Sequence, residues 1–302
     1  MKRFAALFII LAASLWGVDG IVFRPALNTL PVPLVVFVES ALISLLLVPA
    51  LLKNKNELKN LARGDYVVFF LIALFGGALG TMAITKALFY VNFVNLSIVI
   101  LIQKLQPVFA ISLAALILKE KLSGEFFFYA ALAILGSYLL TFGFSVPEIS
   151  LENKTAIAAI YSLVAAFSFG LSTVLSKKAI SNVSYTSATV LRFNFTALIM
   201  SVVLFLTGDY SAFPEITGKQ IMIFVAIAFS TGGLAIYLYY IGLQYVSASE
   251  STILELAFPV TAVFLEYLVH GNLLTLSQWL GAVILIAAIF KITQLYNTQE
   301  KS

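Results

Sequence analysis

Eight ionisable side chains lie inside long apolar segments of the 302-residue chain. Their signs balance, with four basic and four acidic residues: Arg24, Lys86, Lys104, Arg192, Asp19, Glu39, Glu255 and Glu266. A charge in hydrocarbon costs about 2.5–3.5 kcal/mol on insertion scales, so such residues are usually paired or functional. Buried carboxyl groups can carry protons, and buried cations can attract anionic groups.

The position of each charge along its segment predicts which charges lie at similar depths. Arg24 with Asp19 or Glu39 is expected to form a pair near the outer surface, and Arg192 with Glu255 a pair near the inner one. The inner pair is expected to break as the inner mouth opens. In the alternative interpretation, these residues are permanent ion pairs that fix the helix register.

Two lysines are harder to pair. Lys104 lies near the midplane with no acidic residue at its estimated depth, so we expect it to face a cavity and attract an anionic group such as a carboxylate. Lys86 lies closer to the outer surface, where it either contributes to the same site or extends to the headgroups with its charge in water.

Composition places these residues in a membrane protein. Hydrophobic residues make up 61% of the chain, charged residues 11%, and the mean hydropathy is +1.04. No cysteine and only one histidine are present, which excludes disulfides, thiolate metal sites, cysteine nucleophiles and multi-histidine metal sites. The sequence contains no Walker A motif, Gly-rich dinucleotide loop or HExxH. We therefore expect neither an enzyme nor a bound cofactor.

A membrane-spanning helix needs about 20 mostly apolar residues. Ten candidate spans are predicted: Phe4–Leu27, Pro33–Leu52, Tyr66–Tyr90, Val94–Leu118, Glu125–Phe144, Ala156–Ser176, Thr186–Thr207, Gln220–Leu243, Ser249–His270 and Ser277–Tyr296. The first resembles a signal peptide, but we interpret it as a span because it has a counterpart in the second half.

The distribution of basic residues predicts the orientation. Twelve of the 18 Lys and Arg residues fall in the termini and in the connections on one side, and two fall on the other. Because positively charged loops stay in the cytoplasm, both termini are predicted to be cytoplasmic. We expect a plasma-membrane protein, located in the inner membrane if the cell is Gram-negative.

The chain is also internally repeated. AASLWG at 12–17 matches AAFSFG at 165–170, and Pro107 and Leu122-Ser123 align with Pro259 and Leu274-Thr275. Each half, 4–145 and 156–296, contains five predicted spans, and an odd number turns the second half upside down in the membrane. The predicted fold is an all-α membrane protein of ten helices in two inverted five-helix repeats, a construction typical of secondary transporters.

The runs GALGTMAITKALFY, SIVILIQKLQPVFA, KEKLS and LLTLSQWLGAVILI resemble the EamA-type branch of the drug/metabolite transporter superfamily. The resemblance covers nearly the whole chain. It implies a ten-helix basket whose central cavity opens alternately to each side and carries polar metabolites or toxic cations, usually by proton coupling or exchange. One position differs, because Asn272 stands where the family commonly has an acidic residue, opposite Glu120 in the first repeat.

The repeat also singles out two polar positions next to prolines. Gln103 and Glu255 are equivalent, each four residues before a proline, Pro107 or Pro259. Proline interrupts the helical hydrogen bonds, so both helices are predicted to kink and expose polar groups there. Glu255 is the preferred candidate for a proton carrier, ahead of Asp19 and Glu266.

Among the aromatic residues, Trp16 and Tyr237 are the candidates for stacking on a substrate. The expected function is secondary transport, by alternating access, of a small polar metabolite, with amino acids or related zwitterions as the expected cargo and export as the expected direction. The alternatives are an exporter of organic cations or drugs and a flippase for lipid-linked cargo. The expected partners are the substrate, the lipid bilayer and, if transport is coupled, protons, with neither nucleic acid nor an obligatory protein partner.

Overall fold

A computed structural model describes residues 4–91, 96–145, 153–270 and 274–299, and all regular elements in these ranges are helical. Many large apolar side chains are exposed on the outside, among them Leu116, Phe205 and Leu206. Apolar side chains are expected on a surface that faces lipid rather than water. The prediction of an all-α membrane protein is confirmed.

We number the principal helices α1 to α10 and give interrupted helices by their segments. The first five are α1 (Ala5–Val18, π-helical Asp19–Phe23, 3-10 Arg24–Leu27), α2 (Val32–Leu46), α3 (Arg63–Ile72, π-helical Ala73–Leu79, Gly80–Tyr90), α4 (Leu96–Gln103, Gln106–Leu113, π-helical Ala114–Leu118) and α5 (Gly124–Phe142). The others are α6 (Asn153–Ala179), α7 (Tyr185–Thr207), α8 (Gly218–Phe229, Gly233–Leu243), α9 (Ala248–Leu254, Ala257–His270) and α10 (Leu276–Gln299). Short helices Val48–Lys53, Lys55–Lys59 and Asp209–Glu215 lie in the connections.

Nine helices in the described part of the chain are long and apolar enough to cross a bilayer, and α2 is shorter. With 15 residues, α2 is about 22 Å long, less than the roughly 30 Å of hydrocarbon. The predicted span Pro33–Leu52 is divided because Pro49 falls in the first turn of the next helix, where a missing N–H is tolerated. The prediction of ten spans is therefore supported for nine, and the orientation of the termini stays a prediction.

Five of the principal helices are interrupted inside the bundle. Helices α4 and α9 break at 104–105 and 255–256, and α8 breaks at 230–232. Helix α1 changes to π and then 3-10 geometry at Asp19, and α3 contains a π-helical stretch. Irregular backbone at membrane depth is tolerated only where protein or a cavity surrounds it. The interruptions therefore mark the interior of the bundle.

The two halves of the chain are packed into each other. Helix α1 packs along α8 and α9, α6 packs along α3 and α4, and α7 packs along α2. The largest core cluster extends from Ile9 on α1 to Ile253 on α9 and includes Tyr240 on α8. The functional candidates lie along this interface between the first and second halves.

Helices α5 and α10 form a separate close pair at the side of the bundle. Gly136 and Gly281 lie where the two backbones meet: a methyl group on Gly136 would come within 2.6 Å of the Leu285 nitrogen. A methyl group on Gly281 would overlap the Leu140 nitrogen. Small residues at such crossings let membrane helices approach each other closely.

We expect Gly281→Ala to lower stability by about 1–3 kcal/mol, because the obstructing atoms are backbone and cannot rotate away. The gain in helix propensity from alanine, about 1 kcal/mol, offsets only part of this. Thermal unfolding in detergent would measure the change. Gly124→Ala is the matched control, since no neighbouring atom lies within 4 Å of a methyl group there. Equal stability of the two variants would contradict the close-packing argument.

Candidate functional site

The breaks in α4 and α9 follow from proline chemistry. A proline cannot donate a hydrogen bond to the carbonyl four residues earlier, which is that of Gln103 for Pro107 and of Glu255 for Pro259. Each helix leaves α geometry within two residues of that carbonyl. The breaks place polar side chains of the two helices opposite each other.

Glu255 lies at the centre of a buried polar network. Its carboxylate accepts hydrogen bonds from Gln106 Nε2 on α4 at 2.7 Å and from the Tyr239 hydroxyl on α8 at 2.7 Å. Ser251, one turn earlier on α9, donates to the Tyr239 oxygen at 3.0 Å. Thr173 on α6 bonds the same hydroxyl at 3.1 Å. Four helices from both halves therefore meet in one network around this carboxylate.

A second set of bonds surrounds the neighbouring Tyr240. Arg192 Nη1 on α7 donates to the Tyr240 hydroxyl at 3.3 Å, and Ser176 on α6 lies 3.2 Å from it. The predicted ion pair between Arg192 and Glu255 is not formed, because the guanidinium group is directed to Tyr240 while the carboxylate bonds Tyr239. The described residues contain no ion pair to Glu255.

The aromatic candidates separate into one inside the network and one outside it. Trp16 packs against Tyr239, with 5.5 Å between the ring centroids and 51° between the planes. Tyr237 instead makes an edge-to-face contact with Tyr185, with centroids 5.3 Å apart. Residues 237 and 239 are about 200° apart around a helix, so they cannot share a face. The tyrosine in the network is therefore Tyr239, and Tyr237 lies outside it.

Lys104 is buried, as its predicted depth requires, but it has a partner. Its ammonium group donates to Ser137 Oγ on α5 at 2.7 Å. The side chain is thus directed toward the peripheral α5 and away from Glu255. The adjacent Gln103 has a buried Nε2 with no hydrogen-bond acceptor among the described residues.

Lys86 lies outside the network. Its ammonium group is 5.2 Å from the centroid of the Tyr161 ring, and Tyr90 stacks on the same ring with centroids 5.8 Å apart. A cation over an aromatic face is attracted by the ring quadrupole. Glu266, a further candidate, lies on α9 but outside the residues whose side chains are described.

The structure joins Arg24 to both of its candidate partners. Its Nε and Nη2 bond Asp19 at 2.9 and 2.6 Å, and its Nη1 bonds Glu39 at 2.9 Å. Thr231, in the break of α8, donates to the other Asp19 oxygen at 3.3 Å. We call Asp19, Arg24 and Glu39 the outer triad.

Several residues of this network were not among the candidates taken from the sequence: Gln106, Thr173, Tyr239 and Ser251. A signal existed for Gln106, which is polar, follows Gln103 by three residues and precedes a proline. Residues three apart lie on the same helix face. The hydroxyl residues gave no such signal, because Ser and Thr are common in membrane helices, where they bond their own backbone.

Hydrogen bonds join the two halves at the end that carries the connections 54–62, 119–123, 180–184 and 244–247, which we call the basic end. Two carboxylates of the first half bind helix starts of the second. Glu120 accepts the amides of Ala248 and Ser249 at 2.9 and 3.1 Å. Glu57 accepts the amide and hydroxyl of Ser184, each at 2.7 Å. Negative charge at a helix N-terminus is favourable.

The hydrogen bonds from Ser184 and Ser187 favour the ionised form of Glu57. Partial burial acts to raise the pKa of Glu57, but hydrogen bonds from Ser187 and Ser184 outweigh burial and hold the pKa below its ordinary value. Because the pKa of Glu57 is lowered in the folded protein, its carboxylate stabilises the contact at pH values above the ordinary pKa. This stabilisation is lost as the pH falls through the lowered pKa. The closure therefore has its full strength at neutral pH.

We expect Glu120→Ala to open the basic end. Losing two bonds to a charged group, at about 1.5–3 kcal/mol each, raises the rate of access to buried positions by about tenfold or more. The chain has no cysteine, so Ser176→Cys supplies a single buried reporter for maleimide labelling. Glu125→Ala, an exposed acid at the same end, is the control. Equal labelling in both backgrounds would argue against a closure held by Glu120.

Comparison with known proteins decides the family. The sequence profile described as the EamA-like transporter family matches residues 3–142 and again 156–294. The chain belongs to the EamA-like transporter family. It is therefore a multi-pass membrane transporter and not an enzyme, and a plasma-membrane location fits this EamA-like chain.

Known transporters differ in how similar their sequences are to this chain. The riboflavin transporter ImpX of Fusobacterium nucleatum subsp. nucleatum is 46% identical over 293 residues, which cover 96% of this chain and 97% of that one. An uncharacterised transporter of Synechocystis sp. is 23% identical over 237 residues, covering 76% of this chain and 66% of its own. One solved crystal structure superposes with a TM-score of 0.73 at 17% identity, covering 98% of this chain and 100% of its own, which shows the fold alone.

Proposed function

We propose that this transporter carries riboflavin, or a closely related flavin, across the plasma membrane by alternating access. The observation that carries the proposal is the 46% identity to a riboflavin transporter over nearly the full length of both chains. The amino-acid cargo expected from the sequence has no support from any of the named relatives. The basic end would face the cytoplasm, as the distribution of Lys and Arg predicts.

The charges near the network also favour an uncharged cargo. A zwitterion needs a free cation for its carboxylate and a free anion for its ammonium group. Arg24 is bonded to two carboxylates, Lys104 donates to Ser137, and Arg192 is directed to Tyr240. Because these cations already have partners, a bound zwitterion would have to displace one of them. Riboflavin is uncharged near neutral pH and requires no such exchange.

The groups around Glu255 suit the chemistry of a flavin. Its fused-ring system is a large flat aromatic surface, for which the Trp16 and Tyr239 rings provide stacking partners. Its ring edge and hydroxylated side chain need both donors and acceptors. Gln103 Nε2 and Thr252 Oγ1 are buried and have no hydrogen-bond partner among the described residues. Buried polar groups of this kind discriminate strongly for a substrate that bonds them.

Exchange in proteoliposomes tests the proposal. Vesicles loaded with unlabelled riboflavin should take up labelled riboflavin saturably. Lumichrome, which keeps the ring system, should compete, and ribitol should not. A parallel set loaded with pooled amino acids should show no exchange. Amino-acid exchange by folded protein that does not exchange riboflavin would overturn the proposal.

The two tryptophans allow binding to be located. Trp279 is 58% exposed on α10, so Trp279→Phe leaves Trp16 as the sole tryptophan. Riboflavin stacked near Trp16 should quench the remaining fluorescence at saturation. Trp16→Ala should weaken binding by about tenfold, since aromatic stacking contributes roughly 1 kcal/mol beyond the area it buries. Unquenched Trp16 in a variant that still exchanges riboflavin would place the ring system elsewhere.

A further inference from the structure

The outer triad carries an unbalanced charge inside the bundle. Asp19 and Glu39 share the single cation Arg24, so the ionised triad has a net charge of −1. The exposed fraction is 14% for the Asp19 side chain and 9% for each of the other two. A buried charge without compensation is costly, and a carboxylate removes this cost most directly by binding a proton.

Nearby charges do not supply the missing cation. Lys86 on α3 lies over Tyr161, Arg192 on α7 bonds Tyr240, and Lys219 at the start of α8 is exposed. Asp209 and Glu215, in the short helix packed on α2, would add negative charge only. On α9, Phe258 is the residue that approaches Gly20. Glu266 lies eight residues beyond Phe258, which places it about 12 Å farther along the helix.

The triad also joins interrupted parts of the bundle. Asp19 begins the π-helical turn of α1, and Arg24 begins the 3-10 turn that follows. Glu39 lies on the continuous helix α2. Thr231 lies in the break of α8, in the second half of the chain, and donates to Asp19. A change of charge in the triad therefore acts on two interrupted helices at once.

We propose that the outer triad is the binding site of the proton that drives transport, with Asp19 and Glu39 sharing one proton around Arg24. Proton entry converts one carboxylate to a carboxylic acid and brings the triad to a net charge of zero. The attraction of Arg24 for that carboxyl group weakens, which frees the Asp19–Leu27 segment from α2 or α8. A metal ion is a poor occupant, since the guanidinium group holds the centre of the site.

The transport assay of this proton site rests on the proposed riboflavin transport, whereas the assay of proton binding does not. Proton binding is measured on the purified protein without substrate, as the infrared band of a protonated carboxyl group in an acid-minus-neutral difference spectrum. The wild type should show the band. Glu39→Gln and Asp19→Asn should each lose the component of the band that the triad contributes beside the other carboxyl groups, because either change balances the triad. Persistence of that component in both variants would overturn the proposal.

The transport assay separates exchange from coupling. With an inward gradient of about one pH unit, one coupled proton supports about tenfold accumulation of riboflavin. Glu39→Gln should lose the accumulation, and the ratio of accumulation to exchange in the same vesicles separates a loss of coupling from a general loss of transport. Glu215→Gln, an exposed acid, is the matched control and should keep both accumulation and exchange.

The remaining outcomes distinguish the two proposals. Exchange without pH-driven accumulation in the wild type would overturn proton coupling and leave riboflavin transport standing. No riboflavin exchange in the wild type, with a component of the infrared band that Glu39→Gln removes, would overturn the substrate and leave the proton site standing. Loss of accumulation in Glu255→Gln but not in Glu39→Gln would overturn the triad as the proton-binding site and place that site in the network around Glu255.

Discussion

Arg24→Met is expected to destabilise the protein more than any other single substitution considered for the intramembrane charges. The change leaves Asp19 and Glu39 buried together without a cation. Breaking a buried ion pair by removing one partner costs about 3–5 kcal/mol, because the remaining charge has neither water nor a partner. Here two carboxylates would remain. The yield of folded protein and its thermal unfolding midpoint in detergent would both fall.

A rescue experiment distinguishes the loss of charge balance from the loss of packing. Adding Asp19→Asn and Glu39→Gln to Arg24→Met removes every charge from the outer triad, so most of the lost stability should return. Lys219→Met removes an exposed cation of α8 and should leave the unfolding midpoint nearly unchanged. A stable Arg24→Met protein, or a triple variant no better than the single one, would contradict the electrostatic account.

Glu255→Ala should lower the rate of riboflavin exchange by at least about tenfold. The substitution removes the acceptor of both Gln106 Nε2 and the Tyr239 hydroxyl. Each buried donor left without an acceptor costs about 1–3 kcal/mol, so the four helices joined by the network around Glu255 lose their shared geometry. Initial rates of exchange and the quenching of Trp16 in the Trp279→Phe background measure transport and binding separately.

Glu255→Gln provides the matched comparison. Its amide oxygen can still accept from Tyr239, and Gln106 can turn its own amide to present an oxygen to the new NH2 group. Exchange should therefore lie between the wild type and Glu255→Ala. If Glu255→Ala exchanged riboflavin like the wild type, the network around Glu255 would be structural only.

The two proposals assign separate tasks to the two buried acidic sites. Glu255 bonds groups from both halves of the chain and lies beside the Trp16 and Tyr239 rings, which suits substrate recognition. The outer triad has a net charge of −1 shared by two carboxylates and lies at the interruptions of α1 and α8, which suits the proton binding that we propose. The sequence-based prediction that Glu255 carries the proton stays an untested alternative to this assignment.

The contacts at the basic end belong to one conformation of the transporter. Glu57 and Glu120 bind helix starts of the second half through charged hydrogen bonds. In the sequence, Glu120 corresponds to Asn272, which carries no charge. Alternating access requires the contacts at the basic end to break, and their strength sets the preference for the closed state.

The sequence alone determined the features that depend on local chemistry. Membrane insertion depends on the average polarity of about 20 consecutive residues, so composition was sufficient to place the helices. The breaks in α4 and α9 were predictable because a proline withholds its own hydrogen bond wherever it stands in a helix. The shortening of α2 by Pro49 has the same cause, although the predicted span Pro33–Leu52 passed over it.

Only the tertiary structure decided which side chains meet. Position along a span gives depth, but each residue also turns the side chain by about 100° around the helix axis, and the neighbour it faces depends on packing. Depth alone therefore put Lys104 in a cavity and Arg192 on Glu255, whereas packing directs them to Ser137 and Tyr240. The choice of Tyr237 came from its alignment with Thr85 of the first repeat, and only the assembled bundle shows that Tyr237 and Tyr239 lie on opposite faces of one helix.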